Sequence, residues 1–116
     1  MKHELVIAFL GLGMACNPLH AQSQDELNST SQTEYEKADA RLNATYKKLL
    51  AKLDDQGRKK LIAAERAWVA YRDAQADFEA DAAARGGSME PMEYNEACLA
   101  LTEARIKELT KAIAED

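Results

Sequence analysis

The stretch LIAAERAWVAYRDAQADFEADA, residues 61–82, decides the fold class. Within it Leu61, Ala64, Trp68, Tyr71, Gln75, Phe78 and Ala82 recur in alternating steps of three and four, the spacing that lines side chains along one side of an α-helix. A row this regular predicts a helix packed on two neighbours or forming a coiled-coil seam. Gly86-Gly87 follows and is expected to close the helix, because glycine adopts the left-handed backbone without a Cβ clash. At the other end Asp54, Asp55 and Gly57 supply a break, with an aspartate as the expected N-cap.

Upstream, Tyr35, Ala38, Leu42, Tyr46 (or Thr45), Leu49 and Leu53 keep the same helical spacing, with Lys37, Arg41, Lys48 and Lys52 on other sides. This predicts a first helix over 31–53. Downstream, Ser88 to Pro91 reads as a loop whose proline suits the first turn of a third helix. That helix carries two apolar rows, one through Tyr94, Cys98, Leu101 and Arg105, the other through Leu99, Thr102, Ile106, Leu109 and Ile113. Two adjacent rows mean a broad buried face. No strand-like alternation, long repeat or glycine-rich phosphate loop occurs, so the expected fold is all-α, an antiparallel three-helix bundle.

The 116 residues make one domain the expectation. Leu5 to Ala15 is an unbroken run of apolar residues and glycine behind Lys2 and His3, and Asn17 and Pro18 interrupt it. Such a run reads as a secretory signal, too short to span a bilayer, with cleavage after Ala21. The alternative is a lipoprotein signal with Cys16 as the lipidated residue. Residues 1–21 are thus expected to be a signal peptide, 22–30 a polar flexible lead-in, and 31–116 the helical domain. Nothing later is apolar enough for an integral membrane span.

Cleavage removes His3, His20 and Cys16, leaving no histidine and one cysteine, Cys98. Ser-His-Asp and Cys-His catalysis are then excluded, as is a histidine-bearing zinc site. The small helical domain also offers little concave surface for a substrate cleft, so the expectation is a protein that is not an enzyme and has no cofactor, metal or catalytic residue. The net charge of −5 argues against nucleic acid as a partner and for a basic protein.

Tight connections place sequence neighbours antiparallel, which sets an approximate register. Trp68 then faces Ala40 on one side and Leu109 on the other, as a core residue. Just above that layer a charged belt is expected, with Arg72 paired to Glu36 or Asp39, Asp73 to Arg105, and Arg72 and Asp73 directed at different neighbours. Ala76 falls near Ala100 and Cys98. Asp73, Asp77 and Asp81 form a like-charge row, which is a solvated face or a site for a basic partner. Arg85-Gly86-Gly87-Ser88 is a plain turn or a loop able to enter a cleft. Arg58-Lys59-Lys60 reads as solvated surface.

Leu42-Asn43-Ala44-Thr45-Tyr46, Trp68-Val69-Ala70-Tyr71-Arg72-Asp73-Ala74, Gly86-Gly87-Ser88, Cys98-Leu99, and Thr102 with Arg105 and Leu109 follow in order from about 34 to 113. Together they resemble the LprI-type lysozyme-inhibitor family. The resemblance implies a small exported helical domain, with Trp68, Tyr71, Arg72, Asp73, Arg105 and Cys98 as structural residues. Members usually carry a cysteine where this chain has Ala76, and another near the mature N-terminus that is absent here. Cys98 is therefore expected to be a free, largely buried thiol, with a redox role or an intermolecular bond as the other uses.

The resemblance and the charge point to inhibition of a basic lysozyme or related peptidoglycan hydrolase by occlusion of its cleft. Arg85, Gly86, Gly87 and Ser88 would serve as the plug, and Asp73, Asp77 and Asp81 as the steering face. The location implied is periplasmic or secreted, and the expected state is a monomer, with a dimer as the alternative. The rival function is a non-catalytic envelope adaptor, which would show an exposed apolar stripe.

Overall fold

The structure, a computed structural model, describes residues 22–115; the signal-peptide reading and Cys16 lie outside them. Three helices account for nearly all of that span, α1 (Gln24–Lys52), α2 (Asp55–Ala84) and α3 (Glu90–Glu115). No strand occurs among the described residues, and none of their helices is long and apolar enough to cross a membrane. The all-α bundle read from the sequence is the fold.

Helix α1 starts at Gln24 rather than at 31, so the polar stretch 22–30 is mostly helix. Its start is a capping box that hydrophobic periodicity does not register: Ser23 Oγ accepts from the Glu26 N–H at 3.1 Å, and the Glu26 carboxylate accepts from the Ser23 N–H at 3.3 Å. Asn95 Nδ2 then donates to Ser31 Oγ at 3.2 Å, tying this first part of α1 to α3. The other ends follow the sequence closely. Asp54 caps α2 by accepting from the Gly57 N–H at 2.8 Å, and Gly86 takes φ +72° just past its C-terminus.

Helix α3 is the central element. It packs along both α1 and α2, whereas α1 and α2 meet mainly through long side chains. A helix with two neighbours needs a wide buried face, which is why α3 carries two apolar rows. The α1 face is as read from its spacing, with Ala38, Leu42 and Leu49 buried.

The expected seam of α2 is not its buried face. Tyr71 is 53% exposed and Phe78 67% exposed, while Glu65, Arg72, Ala76 and Ala80 are buried. The spacing of large apolar residues misleads here because two buried positions hold charged groups that are paired inside the bundle, and two hold alanine.

The large-residue core gathers Leu42, Leu49 and Leu109, with Trp68, Ile106 and Ile113 packed against it. It sits toward the end where α1 gives way to α2. In the other half the buried residues are small: Ser31, Ala38, Ala76, Ala80, Cys98 and Thr102.

Candidate functional site

A charged and aromatic belt divides the two halves. The Arg72 guanidinium donates from Nε to Asp73 Oδ1 at 2.9 Å and from Nη1 to Asp39 Oδ1 at 3.1 Å. It also lies 5.2 Å from the ring centroids of both Tyr35 and Trp68. Burial opposes the charge on Arg72, but the hydrogen bonds it donates to the two aspartates hold it protonated. The expected pairing of Arg72 with Asp39 is therefore present.

Two parts of the expected belt are different. Asp73 does not point away from Arg72 but binds it, and Arg105 binds Glu65 Oε1 at 2.9 Å and Glu108 Oε1 at 3.3 Å instead of Asp73. The reason is angular. Glu65 and Asp73 are about two turns apart along α2 and about 80° apart around it, so Arg105, engaged with Glu65, is not also brought to Asp73. Trp68 is shared by both groups, its ring centroid 5.2 Å from the Arg72 guanidinium and 5.7 Å from that of Arg105.

Cys98 is free and fully buried. Burial pushes its thiol up, opposed in part by the Tyr94 hydroxyl and the Arg72 charge. Ala76 is also fully buried. Burial likewise pushes the Tyr35 phenol up to about 12, opposed by the Arg72 charge, and raises Tyr94 in the same direction. Because the folded pKa of Tyr35 lies above its ordinary value of 10.0, its contribution to stability is complete below pH 10 and is lost as pH rises from there through 12. A tyrosinate absorbance titration should show Tyr35 and Tyr94 lagging behind the unfolded chain, and denaturant midpoints should fall over the same window.

The proposed plug residues lie at the tip of the α2–α3 hairpin. Arg85 is 81% exposed in its side chain and grips Asp81 through two hydrogen bonds of 2.8 Å, which lowers the Asp81 pKa. Gly86 N–H donates to Glu90 Oε1 at 3.2 Å, and Asn28 Nδ2 of α1 donates to the Ser88 carbonyl at 3.1 Å. The loop is thus exposed yet tied down from two helices. Of the steering residues, Asp77 is exposed, Asp81 is held by Arg85, and Asp73 belongs to the belt.

The setting of these groups is not legible in the sequence. Between residues 73 and 104 the chain has eight carboxylates and one cation, Arg85, and the hairpin folds all of them onto one half of the molecule. Glu79, Glu93 and Glu96 stand around an open groove of about 530 Å³ between α2 and α3, beside Phe78. The charge count is visible in the sequence; the groove is not, because helical spacing alone puts Phe78 in the interior, whereas it is exposed.

The family model described as lysozyme inhibitor LprI matches residues 16–109. The chain belongs to the LprI lysozyme-inhibitor family. An uncharacterized protein of Rhizobium meliloti (strain 1021) is similar to it, 37% identical over 102 residues that cover 77% of this chain and 73% of the relative. No solved structure matches significantly. The family match spans the belt, the hairpin and the groove, so in this LprI-family chain a role in inhibition has an acidic, preformed hairpin end to be read against.

Proposed function

We propose that the protein is an exported, non-catalytic inhibitor of lysozyme or a related peptidoglycan hydrolase, binding the enzyme's cleft with the hairpin end of the bundle. The observation that carries this reading is the segregation of charge: eight carboxylates against one cation in 73–104, on the half of the molecule that ends in an exposed loop restrained by hydrogen bonds. Lysozymes are usually basic, so this half of the molecule is steered toward them, and the opposite end, with Arg58, Lys59 and Lys60 exposed, is turned away.

The tip also suits a cleft lined by catalytic carboxylates. Arg85 is the one cation there, and its partner Asp81 is a solvent-exposed acid. Exposed pairs are weak and exchange readily, so Arg85 can leave Asp81 for a carboxylate of the target. The loop is restrained by the Ser88–Asn28 and Gly86–Glu90 hydrogen bonds, which limits the ordering cost on binding. Export rests on the reading of residues 1–21, with periplasmic release or lipid anchoring through Cys16 as its two forms.

The test is lysis of bacterial cells by a purified basic lysozyme with and without the protein. Inhibition is expected, stronger at low ionic strength, weakened about tenfold or more by Asp77→Lys/Asp81→Lys through lost steering, and weakened also by Ser88→Trp. Absence of inhibition at any concentration overturns the reading. A second reading, an envelope adaptor with no enzyme target, is favoured by one observation, the exposed Tyr71–Phe78 row, and it predicts binding without any slowing of lysis.

A further inference from the structure

The spacing of Tyr71 and Phe78 matches that of Leu61 and Trp68, yet the lower pair packs against the core while the upper pair stands open. Phe78 is the most exposed large apolar side chain among the described residues, at 67%. It borders the groove between α2 and α3, whose floor is small and apolar, formed by Ala82, Ala97 and Ala100. The carboxylates of Glu79, Glu93 and Glu96 line the same groove, and no lysine or arginine does.

We propose that this groove is a docking site for a basic partner protein and takes a protruding arginine or lysine side chain. The aliphatic stem of such a residue lies on the alanine floor and against the Phe78 ring, and its charged head reaches the carboxylates. Each part of the wall then has a counterpart. A purely apolar occupant would bury the carboxylates unpaired, which is costly. A second copy seated twofold on the same face would bring Glu79, Glu93 and Glu96 against their own copies, in a chain whose net charge is already −5. Nucleic acid is repelled outright.

The site is distinct from the loop tip. It lies along the side of the hairpin, so the partner contacts both the Arg85–Ser88 turn and the flank below it. The inference rests on the lysozyme-inhibitor reading for the partner's identity alone; the preference of the groove for a cationic side chain is a separate property.

The probe is a hexa-arginine peptide titrated at low salt into the uniformly ¹⁵N-labelled protein. Amide shifts are expected to concentrate at 78–83 and 93–100. Phe78→Ser/Glu93→Gln/Glu96→Gln is expected to weaken binding about tenfold, with a helical circular-dichroism spectrum and a melting temperature like those of the parent, since all three side chains point to solvent or line the open groove. Glu93→Gln/Glu96→Gln with Phe78 intact repeats the test if the triple variant folds poorly.

Shifts spread evenly over remote acids such as Asp25, Glu26, Asp54 and Asp55 would overturn the proposal. So would undiminished binding by the variants, or sedimentation showing self-association that Phe78→Ser abolishes. Failure to inhibit lysozyme overturns the proposed function and leaves the peptide result as it stands, so the two failures are distinguishable.

Discussion

Trp68→Ala is expected to lower the stability of the folded protein by about 3 to 5 kcal/mol, the usual cost of removing a large aromatic from a packed position. Trp68 packs against the Leu42–Leu49–Leu109 core and lies beside two guanidinium groups, with ring centroid distances of 5.2 Å to Arg72 and 5.7 Å to Arg105. Its removal opens a cavity and takes the aromatic face from both cations at once. Against a total stability of about 5 to 15 kcal/mol for a domain of this kind, that loss is a large fraction. Urea titrations followed by far-ultraviolet circular dichroism should show a lower midpoint with an unchanged slope; a change below about 1 kcal/mol would mean that the belt is held without the indole.

Glu65→Ala is expected to cost a similar amount, about 3 to 5 kcal/mol, for a different reason. The Glu65 and Arg105 side chains are only 12% and 15% exposed and are joined at 2.9 Å. Removing the carboxylate leaves the Arg105 charge in a poorly hydrated place with Glu108, a side chain 65% exposed, as its remaining acid partner. The pair as a unit need not stabilise. Replacing both partners with apolar residues of similar volume, Glu65→Leu/Arg105→Met, should recover most of the loss, because no charge is then stranded. Chemical denaturation of the single and double variants checks this, and a double variant as unstable as the single one would contradict the account.

The two substitutions mark where sequence reasoning holds and where it stops. Trp68 was legible as core because a lone tryptophan in a helical apolar row is nearly always inside. Glu65 was not, because nothing in the spacing of apolar residues distinguishes a buried glutamate from a solvated one. Arg72 lies between these cases. Its pairing with Glu36 or Asp39 followed from the antiparallel register of α1 and α2, and the structure selects Asp39; its bond to the adjacent Asp73 depended on the rotation of α2, which the register does not specify. For the hairpin, Gly86 and Asp54 were readable as helix ends, since their roles depend on backbone geometry a few residues away. The tie between Asn28 and the Ser88 carbonyl was hidden, because it joins parts of the chain that only the parallel approach of α1 and α3 brings together.

The amino-acid sequence by itself determined what is local: three helices, the Asp54 cap and the Gly86 break between them, the buried face of α1, the wide face of α3 and the motif order that places the chain in its family. Helical periodicity, glycine and capping side chains act within a few residues, so their effects can be read in one dimension. The tertiary structure decided which side of α2 is inside. Burial depends on where the neighbouring helices stand, and α3 lies against the side carrying Glu65, Ala76 and Ala80 rather than the one carrying Tyr71 and Phe78. Paired charges can occupy an interior that apolar residues were expected to fill, and an aromatic row can then be left facing solvent, here beside the carboxylates of Glu79, Glu93 and Glu96.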